Sequence, residues 1–348
     1  MPERDTAAGR SDPGPSFVAV PDGRRIAYDQ FGAPDGRPVI YAHGFPSSRR
    51  EALLLHKAAA AAGARIITSD RPGYGDSDDQ PGRHITDWPD DVLRLADHLG
   101  LERFALLGVS GGGPYALAGA WRLPAQAPGR LAGCALVCPL GPIYRPELLG
   151  AMNPVVQANL AVGKGPPWLA GLVFGPPTTA VLAHWPQMVE RVRHVAAPDA
   201  DRAVLAEGDT AAILNATIAD AMRNGAPGAR RDLNLYVHDW DLPFADVHQP
   251  IDIWHGGADG TVPVAHARWY AAQLPHASLH ELAGEGHYSV PLRHTPRILA
   301  RLLAAFDSAA SGTRTLAPAG ATPPSMIGDA GASQSDGTPP LRPGRKPV

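Results

Sequence analysis

Between an apolar run, Phe104-Ala-Leu-Leu-Gly-Val109, and a run opened by Pro114 stands the frame Gly108-Val109-Ser110-Gly111-Gly112. The apolar run reads as a short buried strand, and residues 114–121, with proline in the first turn, read as a helix. Ser110 then occupies the corner between them. A serine in so sharp a strand-to-helix turn needs small residues two positions before and two after it, because the crossing backbones otherwise collide. The same turn lifts its hydroxyl above the sheet edge. The G-x-S-x-G frame alone is also compatible with a glycine-rich helix entry or a phosphate loop, and 38 glycines in 348 residues make a chance match easy. No lysine follows the glycines, which disfavours the phosphate loop. The surrounding chain has to decide.

That chain alternates strand and helix. Residues 16–20 and 25–31, joined by Pro21-Asp22-Gly23, read as a hairpin suited to an antiparallel edge. A buried strand is expected over 38–44, a helix over 50–62 stopped by Gly63, a strand over 65–70, and a helix from Asp87 and Pro89 to Leu99. Residues 131–140 supply another strand. The alternation implies an α/β fold: a doubly wound, mostly parallel sheet covered on both faces, with its ligand site at the carboxyl ends of the strands. From 141 to 246 the alternation breaks into helical stretches over 155–162, 168–174, 179–194 and 210–223. A helical cap inserted between two sheet strands would sit over the strand ends as a lid. Trp168 and Trp185 are its pocket candidates, with packing of the lid core as the alternative role. The sheet pattern resumes with a strand over 251–256, a helix over 263–274, a strand over 277–282 and a helix over 291–307. The expected domains are a core of 17–140 and 247–307, a cap of 141–246, and disordered ends of 1–16 and 308–348. The last stretch is rich in glycine and proline and has no aromatics.

A hydrophobic content of 44% is ample for a buried core, and the net charge is −3, from 31 Lys+Arg against 34 Asp+Glu. No basic run interrupts the ordered part, so neither nucleic acid nor an anionic membrane is an expected partner. The first sixteen residues lack the apolar core of a signal peptide or membrane anchor, and a cytoplasmic protein is expected. Cys134 and Cys138, four apart in an apolar run, fit two buried small hydrophobes better than a disulfide or a metal pair. Neither a metal nor a cofactor is expected, and the oligomeric state is open.

A serine hydroxyl is a weak nucleophile at neutral pH, so it needs a base to take its proton and a third group to hold that base in the right tautomer. Asp259, in Gly256-Gly-Ala-Asp-Gly, lies just beyond one strand, and His287, in Gly284-Glu-Gly-His, follows the next. The order Ser110, Asp259, His287 is that of a nucleophile-elbow hydrolase. Asp259 alone could also cap the helix opened near Pro263. His280 and His294 fall inside elements and read as structural. Charge developing on an attacked carbonyl oxygen needs fixed donors, for which the backbone N–H groups of Gly111 and Phe45 are placed. His43, beside them, reads as a brace for the loop.

The segments His43-Gly-Phe-Pro46, Ser69-Asp-Arg-Pro-Gly-Tyr-Gly-Asp-Ser77, Gly108-Val-Ser-Gly-Gly112, His255-Gly-Gly-Ala-Asp259, Val262-Pro263 and Gly284-Glu-Gly-His287 together resemble the α/β-hydrolase fold superfamily, in its serine-nucleophile branch with a helical lid, over Val18 to Phe306. Members with a nucleophilic aspartate, the epoxide hydrolases and haloalkane dehalogenases, are excluded by the serine at 110. The loop Gly44-Phe-Pro-Ser-Ser lacks the extra glycines of the HGGG-type lipases. The resemblance implies a serine hydrolase cleaving a small ester, lactone, thioester or amide through an acyl-enzyme. The same triad also serves cofactor-free haloperoxidases, perhydrolases and C–C bond hydrolases, and ligand-sensing proteins of this fold often keep it. Substrate identity rests on the lid, whose sequence carries no chemical signature.

Overall fold

The computed structural model describes residues 14–165 and 197–308. Strands β1 (Ser16–Ala19), β2 (Arg25–Gly32) and β3 (Arg37–Ala42) are followed by a 3₁₀ segment, Arg49–Leu55, and helix α1 (His56–Ala61). Next come β4 (Ala64–Ser69), α2 (Trp88–His98), β5 (Phe104–Val109), α3 (Gly113–Gln126) and β6 (Leu131–Val137). The described residues between β6 and the next strand form α4 (Pro146–Ala151), α5 (Pro154–Ala161), α6 (Asp199–Leu205), α7 (Thr210–Met222) and α8 (Pro227–Tyr236). The chain then returns to the sheet as β7 (Ile251–Gly256), α9 (Ala265–Gln273), β8 (Ala277–Leu282), α10 (Ser289–Arg293) and α11 (Thr295–Ser308). Trp168, Trp185 and the helical stretches expected over 168–174 and 179–194 lie outside the described residues, as do most of the two ends expected to be disordered.

The eight strands form one sheet in the order β1-β2-β4-β3-β5-β6-β7-β8. The hairpin β1–β2 and the pair β2–β4 are antiparallel, and every other pairing is parallel. Central strands read as unbroken apolar runs because both faces are covered. In β5, Phe104 and Leu106 pack into one core with Trp88, Val92 and Leu123, while Ala105, Leu107 and Val109 pack into the other with Leu55, Ile298 and Leu302. The chain leaves β3 for β4 on one side and β5 for β6 on the other, so the switch in winding direction falls between β3 and β5. A crevice at their carboxyl ends is where such a sheet binds ligands.

Local chemistry explains where elements depart from expectation. β6 stops at Val137 rather than reaching 140 because Cys138 adopts a positive φ of 45° and turns the chain. The last helix is broken at His294, where Pro296 removes a helical donor and restricts Thr295 before it. Helices α4, α6 and α8 fall outside the helical stretches expected from the sequence; each is short, at six, seven and ten residues. Trp240, in the inserted stretch, is buried against Tyr144 and Phe244, a packing role. Among the described residues no helix is long and apolar enough to cross a membrane.

Candidate active site

Ser110 is the pivot between β5 and α3. Its φ of 53° is left-handed, a conformation that costs a residue with a Cβ about 1–2 kcal/mol and persists here because the surrounding backbone leaves no alternative. A Cβ on Gly108 would lie 2.6 Å from that of Ala116, and one on Gly112 would lie 2.0 Å from the carbonyl oxygen of Ala42. The glycines two before and two after the serine are therefore steric requirements of the turn.

The structure brings Ser110, His287 and Asp259 together from three strand ends. His287 Nε2 is 3.0 Å from Ser110 Oγ, and His287 Nδ1 is 2.7 Å from Asp259 Oδ2. Asp259 Oδ1 accepts the backbone N–H groups of Thr261 and Val262, each at 2.8 Å. That turn fixes the carboxylate plane; it lies before the helix, whose N-cap is Val264 with no side-chain cap, so Asp259 orients His287 and does not cap α9. Burial raises the Asp259 carboxyl, but the His287 charge and the hydrogen bonds from His255 and His287 outweigh it and hold it below the usual carboxylate range. Burial lowers the His287 imidazole, yet the Asp259 charge and hydrogen bond, with Asp201 and Glu51 farther away, leave its pKa above the ordinary histidine value. Since Asp259 accepts a hydrogen bond from Nδ1–H, Nε2 is left as the acceptor for the Ser110 hydroxyl.

Phe45 and Gly111 meet beside the serine: a Cβ on Gly111 would lie 2.5 Å from Phe45 Cβ and 3.2 Å from Phe45 N. The two backbones are thus closely packed next to Ser110. His43 is fully buried behind this loop, with Nδ1 3.0 Å from the Gly44 carbonyl and Nε2 accepting the Arg71 N–H at 3.2 Å. Burial and the Arg71 charge push its pKa well down, so it is a neutral brace of the loop. His280 bonds Asp252 on β7 and stacks on Trp254, and His294 pairs with Glu285, both remote from Ser110.

Several buried groups at the site carry no local sequence signal. Glu51 accepts the Gly44 N–H at 2.6 Å; burial raises its carboxyl, against the Gly44 and Tyr41 hydrogen bonds that lower it. Asp201, on α6, accepts the N–H groups of His287, Tyr288 and Ser289 at 2.8, 3.0 and 2.8 Å. A Cβ on Gly286 would lie 2.4 Å from that carboxylate, which explains the glycine before His287. Asp232, on α8, sits among Arg71, Arg83, Tyr74 and Tyr115. All of these acids look, in sequence, like ordinary solvated residues; only the fold gives them partners.

Cys138, His255 and Asp259 also converge, with one potential ligand atom each within 4.8 Å of the others. Burial and the Asp259 charge raise the Cys138 thiol well above its ordinary pKa. Asp259 is already committed to hydrogen bonds, and His255 Nε2 lies 2.7 Å from the Val262 carbonyl oxygen. Asp259 is thus shared with the triad, and Cys138 and His255 are buried beside it.

A family model described as alpha/beta hydrolase fold matches residues 37–293. The chain is 36% identical over 129 residues to a non-heme chloroperoxidase of Streptomyces lividans, covering 36% of this chain and 45% of that protein. It is 34% identical over 125 residues to a pimeloyl-[acyl-carrier protein] methyl ester esterase of Aromatoleum aromaticum, covering 35% of this chain and 48% of that protein. It therefore spans about half the length of these curated relatives. Among solved structures, an esterase from Exiguobacterium antarcticum aligns over 84% of this chain and 99% of its own, with a TM-score of 0.61 at 20% identity.

Proposed function

Because the chain belongs to the alpha/beta hydrolase fold family, we propose that it is a serine hydrolase cleaving a small carboxylic ester or related acyl compound through an acyl-enzyme. The observation that carries this reading is the continuous relay from Asp259 Oδ2 through His287, 2.7 and 3.0 Å long, to Ser110 Oγ at the wall of a pocket. In this reading Ser110 attacks the acyl carbon and His287 takes its proton, then returns it to the leaving group. Asp259 holds the imidazolium, and the N–H groups of Phe45 and Gly111 receive the oxyanion. A water then repeats the sequence to release the acid. The curated relatives include both an esterase and a non-heme chloroperoxidase, so the ester series below is the test that separates ester hydrolysis from the other uses of the same triad.

The pocket has a volume of about 140 Å³, with Leu54, Leu55, Leu214, Ile218 and Leu292 among its apolar lining. Leu214 and Ile218 come from α7, which supports the reading that the inserted stretch forms a cap over the strand ends. An apolar cavity of about 150 Å³ holds a benzene ring, so the acyl group is short or carries a single ring. On a series of esters graded in acyl length, turnover is expected to peak at such groups and to fall by about tenfold or more once the chain outgrows the pocket. A flat profile out to long chains, or no ester hydrolysis, overturns the reading.

The pH dependence has a definite sign. His287 works as a base only when neutral, and its pKa in the folded protein is raised above 6.5. kcat/KM is therefore expected to rise with pH along an acid limb centred above the ordinary histidine value and to be lost below it. A limb at or below that value counts against the pairing of His287 with Asp259.

A further inference from the structure

Helix α8 belongs to the inserted stretch, yet it reaches both backbone segments that form the expected oxyanion hole. Asp232 is fully buried, and its Oδ2 accepts Arg71 Nε at 2.9 Å and the Tyr74 hydroxyl at 2.9 Å. Its Oδ1 accepts the Tyr115 hydroxyl at 2.5 Å and a bond from Arg83. Burial raises the Asp232 carboxyl, but the charges of Arg83 and Arg71 with the Tyr115 and Arg83 hydrogen bonds overcome that and keep it ionised. Arg71 Nη2 also lies 2.9 Å from Asp232 Oδ2, and with the guanidinium so anchored it reaches the loop after β3: Nη1 donates to the His43 carbonyl at 2.5 Å and Nη2 to the Gly44 carbonyl at 3.0 Å.

The Gly44 carbonyl and the Phe45 N–H are the two ends of one peptide group. A buried guanidinium on that carbonyl fixes the peptide plane and draws electron density from the N–H, which strengthens the N–H as a donor. One turn on from Asp232, Tyr236 donates its hydroxyl to the Gly111 carbonyl at 2.7 Å, and its ring meets that of Phe45 edge-on at 5.3 Å. One helix thus reaches the peptide group of the Phe45 N–H through Arg71 and, through Tyr236, the peptide group that follows the Gly111 N–H, while the Ser110 carbonyl of that N–H's own peptide accepts the Leu140 N–H at 3.0 Å.

We propose that Arg71, anchored by Asp232, and Tyr236 are positioning residues for the two oxyanion donors, so that α8 is part of the apparatus that stabilises the tetrahedral intermediate. This rests on the serine-hydrolase reading above. A packing role and a positioning role predict different kinetics. Donors that are misaimed weaken binding of the tetrahedral species and leave ground-state binding and the base alone.

The test compares Arg71→Lys, Asp232→Asn and Tyr236→Phe with the parent protein for kcat, KM, the acid limb of the pH profile and the inhibition constant of a short-chain alkyl trifluoromethyl ketone, which forms a tetrahedral adduct on the serine. Removing an oxyanion donor outright costs about 10²–10³ in kcat, and misaiming one is expected to cost about 10–10² for Arg71→Lys and Asp232→Asn, less for Tyr236→Phe. KM and the acid limb stay near parent values, and ketone affinity falls in proportion to kcat/KM along the series. Loss of kcat with unchanged ketone affinity, or loss carried by KM, overturns the proposal. So does parent activity in all the variants that fold. If the two variants in the buried ion cluster do not fold, Tyr236→Phe, which deletes a single hydroxyl, decides by the same criteria. Failure of the underlying reading is separable, because it shows as turnover and ketone inhibition that survive Ser110→Ala.

Discussion

Replacing Ser110 with alanine is expected to abolish labelling by a fluorophosphonate and to lower ester turnover by about 10⁵–10⁶-fold, the scale of loss when a serine nucleophile is deleted from an intact triad. Among the described residues no cysteine lines the pocket. The thiols of Cys134 and Cys138 are buried, and burial raises both above their ordinary pKa. Alanine keeps the Cβ that serine already carries at the left-handed turn, so the elbow strain is unchanged and the variant retains its fold. Intact-mass measurement of the labelled protein, with initial rates on a short ester, checks both halves. Labelling that survives the substitution removes Ser110 from the reaction.

Asp259→Asn is expected to cost about 10⁴ in turnover, the loss known when the orienting acid of a serine triad becomes its amide. The local geometry dictates the reason. Oδ1 receives two backbone N–H groups at 2.8 Å, so the amide keeps its oxygen there and turns its NH₂ toward His287 Nδ1. Nδ1 must then accept, Nε2 carries the proton, and the ring cannot take one from Ser110. The lost charge also moves the acid limb of the pH profile to lower pH. Asp252 is the control: its Oδ1 holds His280 Nε2 at 3.0 Å and Arg301 Nε at 2.8 Å, away from the serine. Asp252→Asn is expected to leave turnover near the parent value and to register, if anywhere, in thermal unfolding. Near-normal turnover in Asp259→Asn together with its loss in folded Asp252→Asn would reverse the assignment.

The sequence by itself determined the parts of this protein that depend on neighbours a few residues away. Alternating apolar runs and helix stops at Gly63 and Gly100 follow from backbone conformation, since both glycines take a positive φ. The strands over 104–109, 251–256 and 277–282 coincide with β5, β7 and β8 for the same reason. The serine at a glycine-flanked corner was legible because the steric demand of the turn acts within two residues on either side. The order of serine, acid and histidine was legible too, because each follows a strand. Only the tertiary structure decided which distant groups complete the site. Asp201 lies 86 residues from the His287 N–H it accepts, and Asp232 lies 161 from Arg71. Helix α8, with Arg230, Arg231 and Asp232 in sequence, reads as a solvated polar segment, yet Asp232 is fully buried. A charge goes inside only where opposite charges and hydrogen-bond donors await it, and those partners come from β-strand loops and from α3. That compensation is long-range and leaves no period or spacing behind. A carboxylate destined for the core is therefore indistinguishable, in sequence, from one meant for water.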